Sequence, residues 1–141
     1  MRIRDVMTAK VETITPDAKL QEAARRMADA DLGFLPVEDG ERLVGMLTDR
    51  DIAVRGVAEG KSALQTKVRN VMTKHVLYCF DDEETDRIAN NMANLQIRRL
   101  PVVDRDRRLV GVVSLADLAL KHDAHLAGEA LEGVCLPADR G

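Results

Sequence analysis

Leu35-Pro36-Val37 returns as Leu100-Pro101-Val102, and the organisation of the whole chain unfolds from that echo. Pro36 precedes Pro101 by 65 residues, and the same spacing carries Arg4 onto Arg69, Val6-Met7-Thr8 onto Val71-Met72-Thr73 and Val11 onto Val76. It also carries Asp17 onto Asp82 and Met27-Ala28 onto Met92-Ala93. Beyond the tripeptide the spacing becomes 66, pairing Leu43-Val44-Gly45 with Leu109-Val110-Gly111, Thr48 with Ser114 and Asp51 with Asp117. A period held over so many positions marks a duplicated unit.

Each copy follows one grammar. A short strand at Val11–Ile14 leads to a helix opened by Thr15-Pro16-Asp17, where proline suits the first helical position. In the second copy Asp81 and Glu84 have capping-box spacing, and Ile88, Met92 and Leu95 recur at helical intervals. Two apolar runs follow, Phe34–Val37 and Leu43–Leu47, separated by hairpin punctuation at Glu38-Asp39-Gly40-Glu41-Arg42. The second copy turns at Asp104-Arg105-Asp106. A further helix begins near Thr48 or Ser114. Each copy is thus β-α-β-β-α, an α/β (α+β) arrangement in a segment too short to bury a good core alone, so the copies are expected to pack together. The expected division is repeat 1 over 1–60, a linker over 61–66, repeat 2 over 67–122 and a tail over 123–141 with one more short helical turn.

Composition narrows the function. The chain of 141 residues has 45% hydrophobic and 32% charged residues, enough apolar surface for a folded domain. Its net charge of -3 lacks the basic excess that a phosphate backbone selects, and 2% aromatics leave no stacking platform. Nucleic acid is therefore not expected as a partner. No segment has the length of an apolar membrane span or signal sequence, so no membrane association and a cytoplasmic location are expected. The two cysteines, Cys79 and Cys135, do not make a disulfide framework and read as thiols.

The ordered set of Met-Thr, Leu-Pro-Val and Leu-Val-Gly motifs closes on Thr48-Asp49-Arg50-Asp51 and Ser114-Leu115-Ala116-Asp117. Over roughly residues 3 to 121 it resembles a tandem pair of cystathionine-β-synthase (CBS) domains, a Bateman module. The resemblance implies two β-α-β-β-α repeats packed through their sheets about a pseudo-twofold axis. It also implies clefts for adenosine-containing ligands such as AMP, ADP, ATP, an NAD-type molecule or S-adenosylmethionine, and homodimers of modules. No cofactor is required by it; the nucleotide is an effector.

A hydroxyl and a carboxylate three residues apart at a helix start have two uses. Thr48 and Asp51 can cap the first turn, needing no ligand. The same helix end attracts phosphate, and a carboxylate can accept from two ribose hydroxyls. By the resemblance these positions contact ribose and phosphate, and Ser114 and Asp117 keep the pattern. Just before Leu-Pro-Val the copies differ, with Gly33-Phe34 in the first and Arg98-Arg99 in the second. An arginine fork can hold phosphate oxygens, or it can be a solvated strand-edge residue. Arg50 is a further candidate for phosphate contact or an exposed helix residue. The resemblance leads to one pocket joining Asp51 with Val76, Ile97 and Arg98, and a less cationic one joining Ser114 and Asp117 with Val11, Leu32 and Gly33. The branched side chains among them read equally as core.

Other signals lead elsewhere. Gly56-Val57-Ala58-Glu59-Gly60-Lys61-Ser62 has three residues between its glycines where a P-loop needs four, and it follows a helix. His75, Cys79, His122, His125 and Cys135 lack the paired spacing of a closed zinc site, so no metal is expected. No nucleophile elbow, zinc-protease helix or dinucleotide loop is present, and the chain is expected not to be an enzyme. The alternatives to a ligand sensor are a constitutive dimerisation or adaptor module with vestigial clefts, or a metal-binding interaction protein. A regulated partner protein is left unidentified.

Overall fold

The computed structural model describes residues 1–121 and 124–135. Their order is α1 (Ile3–Val6), α2 (Leu20–Ala30), β1 (Phe34–Asp39), β2 (Arg42–Thr48) and α3 (Asp49–Asp51), which continues as π-helix over Ile52–Val57. A 3-10 turn at Val68–Asn70 precedes β3 (Cys79–Phe80), α4 (Thr85–Leu95), β4 (Arg99–Val103), β5 (Leu109–Ser114), α5 (Leu115–Lys121) and α6 (Ala124–Cys135). These elements form two compact units that do not follow the repeats. One comprises Glu12–Val76 with Arg107–Leu109, and the other Met1–Val11, Leu77–Asp106 and the chain from Val110 onward. They are named below for their helix-start carboxylates, the Asp51 unit and the Asp117 unit. The segment leading into each repeat thus belongs to the unit built around the other.

In the Asp51 unit β1 and β2 pair antiparallel from Phe34↔Thr48 to Asp39↔Arg42, with a bulge between Val37 and Glu38. Gly40, at φ 67°, supplies the left-handed turn that the hairpin needs. Only Ile14 of the expected first strand joins them. It bridges Val37, donating from its N–H to Pro36 O (3.1 Å) and accepting from Glu38 N–H (3.0 Å). Neighbouring Thr13 O is occupied by the Arg26 guanidinium at 2.6 Å, which leaves it outside any ladder. Helix α2 also starts later than Thr15-Pro16-Asp17 suggests. Pro16 O and Ala18 O accept from Arg69 and Val68 N–H, so that stretch is held as a turn against the 3-10 segment. The core joins Ile14, Leu20, Met27, Leu35, Val37, Leu47, Val68 and Val71, each contributing roughly 1.5–3 kcal/mol when fully buried.

In the Asp117 unit β4 lies between β3 and β5, with Cys79↔Val102 and Phe80↔Val103 in parallel register. The expected Asp81–Glu84 capping box does not form. Glu84 is the N-cap residue, Glu83 Oε1 accepts from Phe80 N–H at 2.9 Å, and Thr85 N–H donates to Met1 O at 3.0 Å. The amino terminus therefore supplies the cap acceptor that the local sequence does not. Ile88 and Met92 are buried as their spacing predicts, while Leu95, in the last turn, is half exposed. The tail carries far more than one helical turn. Helix α6 buries Ala130 in the core with Ile3, Val6, Ile88, Met92 and Leu118. A Cβ at Gly133 would stand 2.7 Å from Ala93 Cβ, so glycine lets α6 approach α4.

The motifs that reveal the duplication are contact surfaces within each unit. Thr73 exchanges two backbone hydrogen bonds with Met46 (2.9 and 3.0 Å), and Thr8 exchanges two with Val112 (2.8 and 2.9 Å). Both crossings run past the glycine of Leu-Val-Gly. A Cβ at Gly45 would meet Met72 Sδ at 2.6 Å, and one at Gly111 would meet Thr8 O at 2.6 Å and Met7 Sδ at 2.9 Å. Met-Thr and Leu-Val-Gly recur together because each is shaped to the other.

Candidate functional site

The helix starts after β2 and β5 carry the expected pairs in matching geometry. Asp51 N–H donates to Thr48 Oγ1 at 3.0 Å, and Thr48 N–H donates back to Asp51 Oδ2 at 3.0 Å. Asp117 N–H donates to Ser114 Oγ at 3.1 Å, and Ser114 N–H to Asp117 Oδ2 at 3.0 Å. Both are complete capping boxes, which hold each carboxylate against the helix end with one oxygen committed to backbone.

The second oxygens differ. Asp117 Oδ1 accepts from the Thr8 hydroxyl at 3.2 Å, tying the amino-terminal segment to the helix start. Asp51 Oδ1 has no hydrogen-bond partner among the described residues. Thr73, the counterpart of Thr8, holds its strand bridge through backbone, and its hydroxyl makes no hydrogen bond among the described residues. Thr8 was not singled out in the sequence as a site residue, although its duplication within Val-Met-Thr is the signal that could have found it.

Leu115 N–H donates to Arg98 O at 3.1 Å, and Asp49 N–H donates to Gly33 O at 2.9 Å. The backbone of Arg98 therefore runs beside the Ser114–Asp117 helix start, and that of Gly33 beside Thr48–Asp51. The cause is the hairpin, which returns the end of its second strand to the start of its first: Phe34 stands opposite Thr48. Ile97 and Val11 also fall in the Asp117 unit, and Leu32 and Val76 in the Asp51 unit. Ile97 and Val76 are partly buried, as are Val11 and Leu32. Arg98 and Arg99 are exposed, and the Arg98 guanidinium reaches Cys135 Sγ at 3.8 Å. Arg50 is exposed, its N–H donating to Asp49 Oδ1 at 2.8 Å. A side chain at position 33 would meet the Asp49 carboxylate at 3.1 Å, so this helix start is the more acidic of the two.

The metal candidates do not come together among the described residues. Cys79 is buried with Sγ 3.9 Å from Pro101 O, and burial pushes its thiol up to about 12, with Glu83 and Asp81 adding to the rise. His75 is exposed and belongs to the other unit; Cys135 is exposed. His122 and the side chain of His125 lie outside the described residues. No helix among the described residues is long and apolar enough to cross a membrane.

The CBS domain family model matches residues 3–56 and again residues 68–121. The chain belongs to the CBS domain family. This CBS pair is 41% identical over 133 residues to the CBS domain-containing protein YhcV of Bacillus subtilis, covering 94% of each chain. Its fold is similar to that of hypoxic response protein I, solved with two coordinated zinc ions, at a TM-score of 0.77 and 36% identity over 85% of this chain and 98% of that one. It is also similar to the CBS domain pair of protein MJ0100, solved in complex with 5′-methylthioadenosine and S-adenosyl-L-methionine. That likeness has a TM-score of 0.73 and 30% identity over 85% of this chain and 94% of the other. The mixed α/β architecture and the tandem repeat are thus those of CBS pairs.

Proposed function

We propose that this CBS pair is a regulatory module that binds adenosine-containing ligands at its two helix starts, through the carboxylates of Asp51 and Asp117. The observation that carries the reading is the division of labour within each carboxylate. One oxygen is fixed by the cap, so the group is pre-positioned, and the other is open at Asp51 or held only by a side-chain hydroxyl at Asp117. A fixed acceptor aimed away from its own helix suits the two hydroxyls of a ribose. The adenosyl ligands bound by MJ0100 support the same chemistry class.

Phosphate is favoured at the Asp117 start in this reading, because the backbone of Arg98 runs beside it and a guanidinium suits phosphate oxygens. The Asp51 start, with Asp49 beside Gly33, suits a less anionic adenosyl group, with Arg50 its nearest cation in sequence. Val11 and Ile97 in one unit, and Leu32 and Val76 in the other, supply apolar surface for the base. Signalling follows from Thr8. A ribose that takes Asp117 Oδ1 displaces the Thr8 hydroxyl, and so acts on the segment Met1–Val11 that the second repeat's unit incorporates. A ligand shifts such an equilibrium only by its differential affinity for the two arrangements. The module works as a homodimer in the cytoplasm, passing occupancy to a partner protein, and performs no catalysis.

Thermal unfolding with AMP, ADP, ATP, NADH and S-adenosylmethionine tests this. Ligand at about 100 times Kd stabilises by about 2.7 kcal/mol. A rise in midpoint that disappears in Asp51→Ala or Asp117→Ala supports binding and assigns the helix start. Absence of any rise with nucleotide-free protein supports the constitutive adaptor, in which the pairs serve only as caps.

A further inference from the structure

We propose that the end of α6 is an autoinhibitory contact, which holds the Arg98 guanidinium at Cys135 until a ligand phosphate at the Asp117 helix start draws it away. The inference rests on the reading of Arg98 as a phosphate contact and names the element that regulates it. The last turns of α6 are fastened to residues 93–98, the stretch that leads from α4 into β4. Arg98 Nη2 donates to Cys135 Sγ at 3.8 Å, and Gln96 Nε2 donates to Gly133 O at 3.4 Å. The backbone of Gly133 comes so near Ala93 that a Cβ there would stand 2.7 Å from Ala93 Cβ. Ala130, buried in the core with Ile88, Met92 and Leu118, and partly buried Val134 anchor the helix that carries this end. The same stretch passes the helix start, because Arg98 O accepts from Leu115 N–H at 3.1 Å. The backbone of Arg98 is thus fixed beside Ser114–Asp117 while its side chain is engaged by α6.

The strengths of the two competing contacts decide the behaviour. A thiol sulfur is a weak acceptor, and both Arg98 and Cys135 are exposed, so α6 holds the arginine loosely. A phosphate offers charged oxygens to the planar fork and outcompetes the sulfur, whereas adenosine, which has no phosphate, leaves the contact in place. By linkage the effect runs both ways: releasing Arg98 from α6 strengthens phosphate binding, and bound phosphate loosens the end of α6. The helix therefore reports the charge of the ligand, a signal separate from the displacement of Thr8 by ribose. The first repeat has no such device, since Gly33 stands where the second has Arg98.

Calorimetric titration of the full chain with AMP and with adenosine, in wild type, Cys135→Ala and Cys135→Asp, tests it. Cys135→Asp gives the guanidinium a carboxylate in place of the sulfur, and is expected to weaken AMP by about threefold with adenosine unchanged. Cys135→Ala is expected to strengthen AMP by up to about twofold. Amide hydrogen exchange over 128–135 is expected to quicken about twofold or more with AMP, not with adenosine, and to be quick without ligand in Arg98→Ala. A further arm needs no nucleotide. A dianionic aromatic disulfide reaches exposed Cys135 and not buried Cys79, and its rate is expected to fall about threefold or more in Arg98→Ala, since the guanidinium attracts the reagent. Equal thiol rates, AMP affinity unmoved in Cys135→Asp, adenosine weakened as much as AMP, or exchange indifferent to AMP overturns the proposal. Binding of neither ligand sinks the ribose reading instead, and the thiol rates then decide the contact.

Discussion

Adding one methyl group at Gly111 should disable the crossing that ties the amino-terminal segment to the Asp117 helix start. The new Cβ would stand 2.6 Å from Thr8 O, 2.9 Å from Met7 Sδ and 3.3 Å from Met7 Cγ. The methionine can swing aside, but the carbonyl cannot. Thr8 O accepts from Val112 N–H at 2.9 Å while Thr8 N–H donates to Val112 O at 2.8 Å, so retreat of the carbonyl strains both bonds. Overpacking costs about 1–3 kcal/mol and the two strained hydrogen bonds together about 1 kcal/mol, so Gly111→Ala should lose about 2–4 kcal/mol. At Gly45 the nearest atom is instead the flexible end of Met72, at 2.6 Å, with Thr73 O further off at 3.0 Å. Gly45→Ala should therefore cost less. Urea unfolding followed by circular dichroism gives both differences, and the thermal midpoint of Gly111→Ala should fall by roughly 10 °C. A Gly111→Ala variant within about 0.5 kcal/mol of wild type, the scatter of ordinary surface substitutions, would refute the steric reasoning, as would a reversed order of the two variants.

Replacing Thr48 or Ser114 by alanine should each cost about 1 kcal/mol in urea unfolding, because each hydroxyl accepts a first-turn N–H. Arg69 beside Asp17, and Arg105 beside Asp82, hold those carboxyls below their ordinary value of 3.8. Both pairs therefore support the fold above the unfolded carboxyl's range and lose that support as pH falls through the depressed folded values. The thermal midpoint should drop below about pH 4, more shallowly in Asp17→Asn with Asp82→Asn than in wild type. Thiol titration of the native chain should detect exposed Cys135 and miss Cys79, whose buried thiol is pushed up to about 12, whereas the unfolded chain should give both.

Much of this molecule was legible because duplication writes the constraints twice. The hairpin, the helix starts and the cap pairs all followed from local chemistry: Gly40 for the turn, and Thr48 with Asp51 for the box. What local reading missed is supplied from a distance. Helix α2 starts late because Pro16 and Ala18 give their carbonyls to Val68 and Arg69, some fifty residues onward. Helix α4 is capped by Met1 O rather than by Asp81. The first strand shrinks to Ile14 because Arg26 takes its neighbour's carbonyl. That the backbone of Arg98 runs beside Ser114, and that of Gly33 beside Thr48, was already implicit in the hairpin, since antiparallel pairing sets Phe34 across from Thr48. The repeat of Val-Met-Thr marks Thr8, but its bond to Asp117, which joins residues 109 positions apart, needed the structure.

The central claim is that Asp51 and Asp117 read a ribose diol, and it is tested most directly by titrating AMP against its 2′-deoxy and 3′-deoxy analogues. Loss of a hydroxyl paired with a pre-positioned carboxylate should weaken binding by about tenfold or more, with the discrimination abolished in the Asp→Ala variant of the occupied helix start. Equal affinity for the three nucleotides, or discrimination that survives both Asp51→Ala and Asp117→Ala, would contradict it.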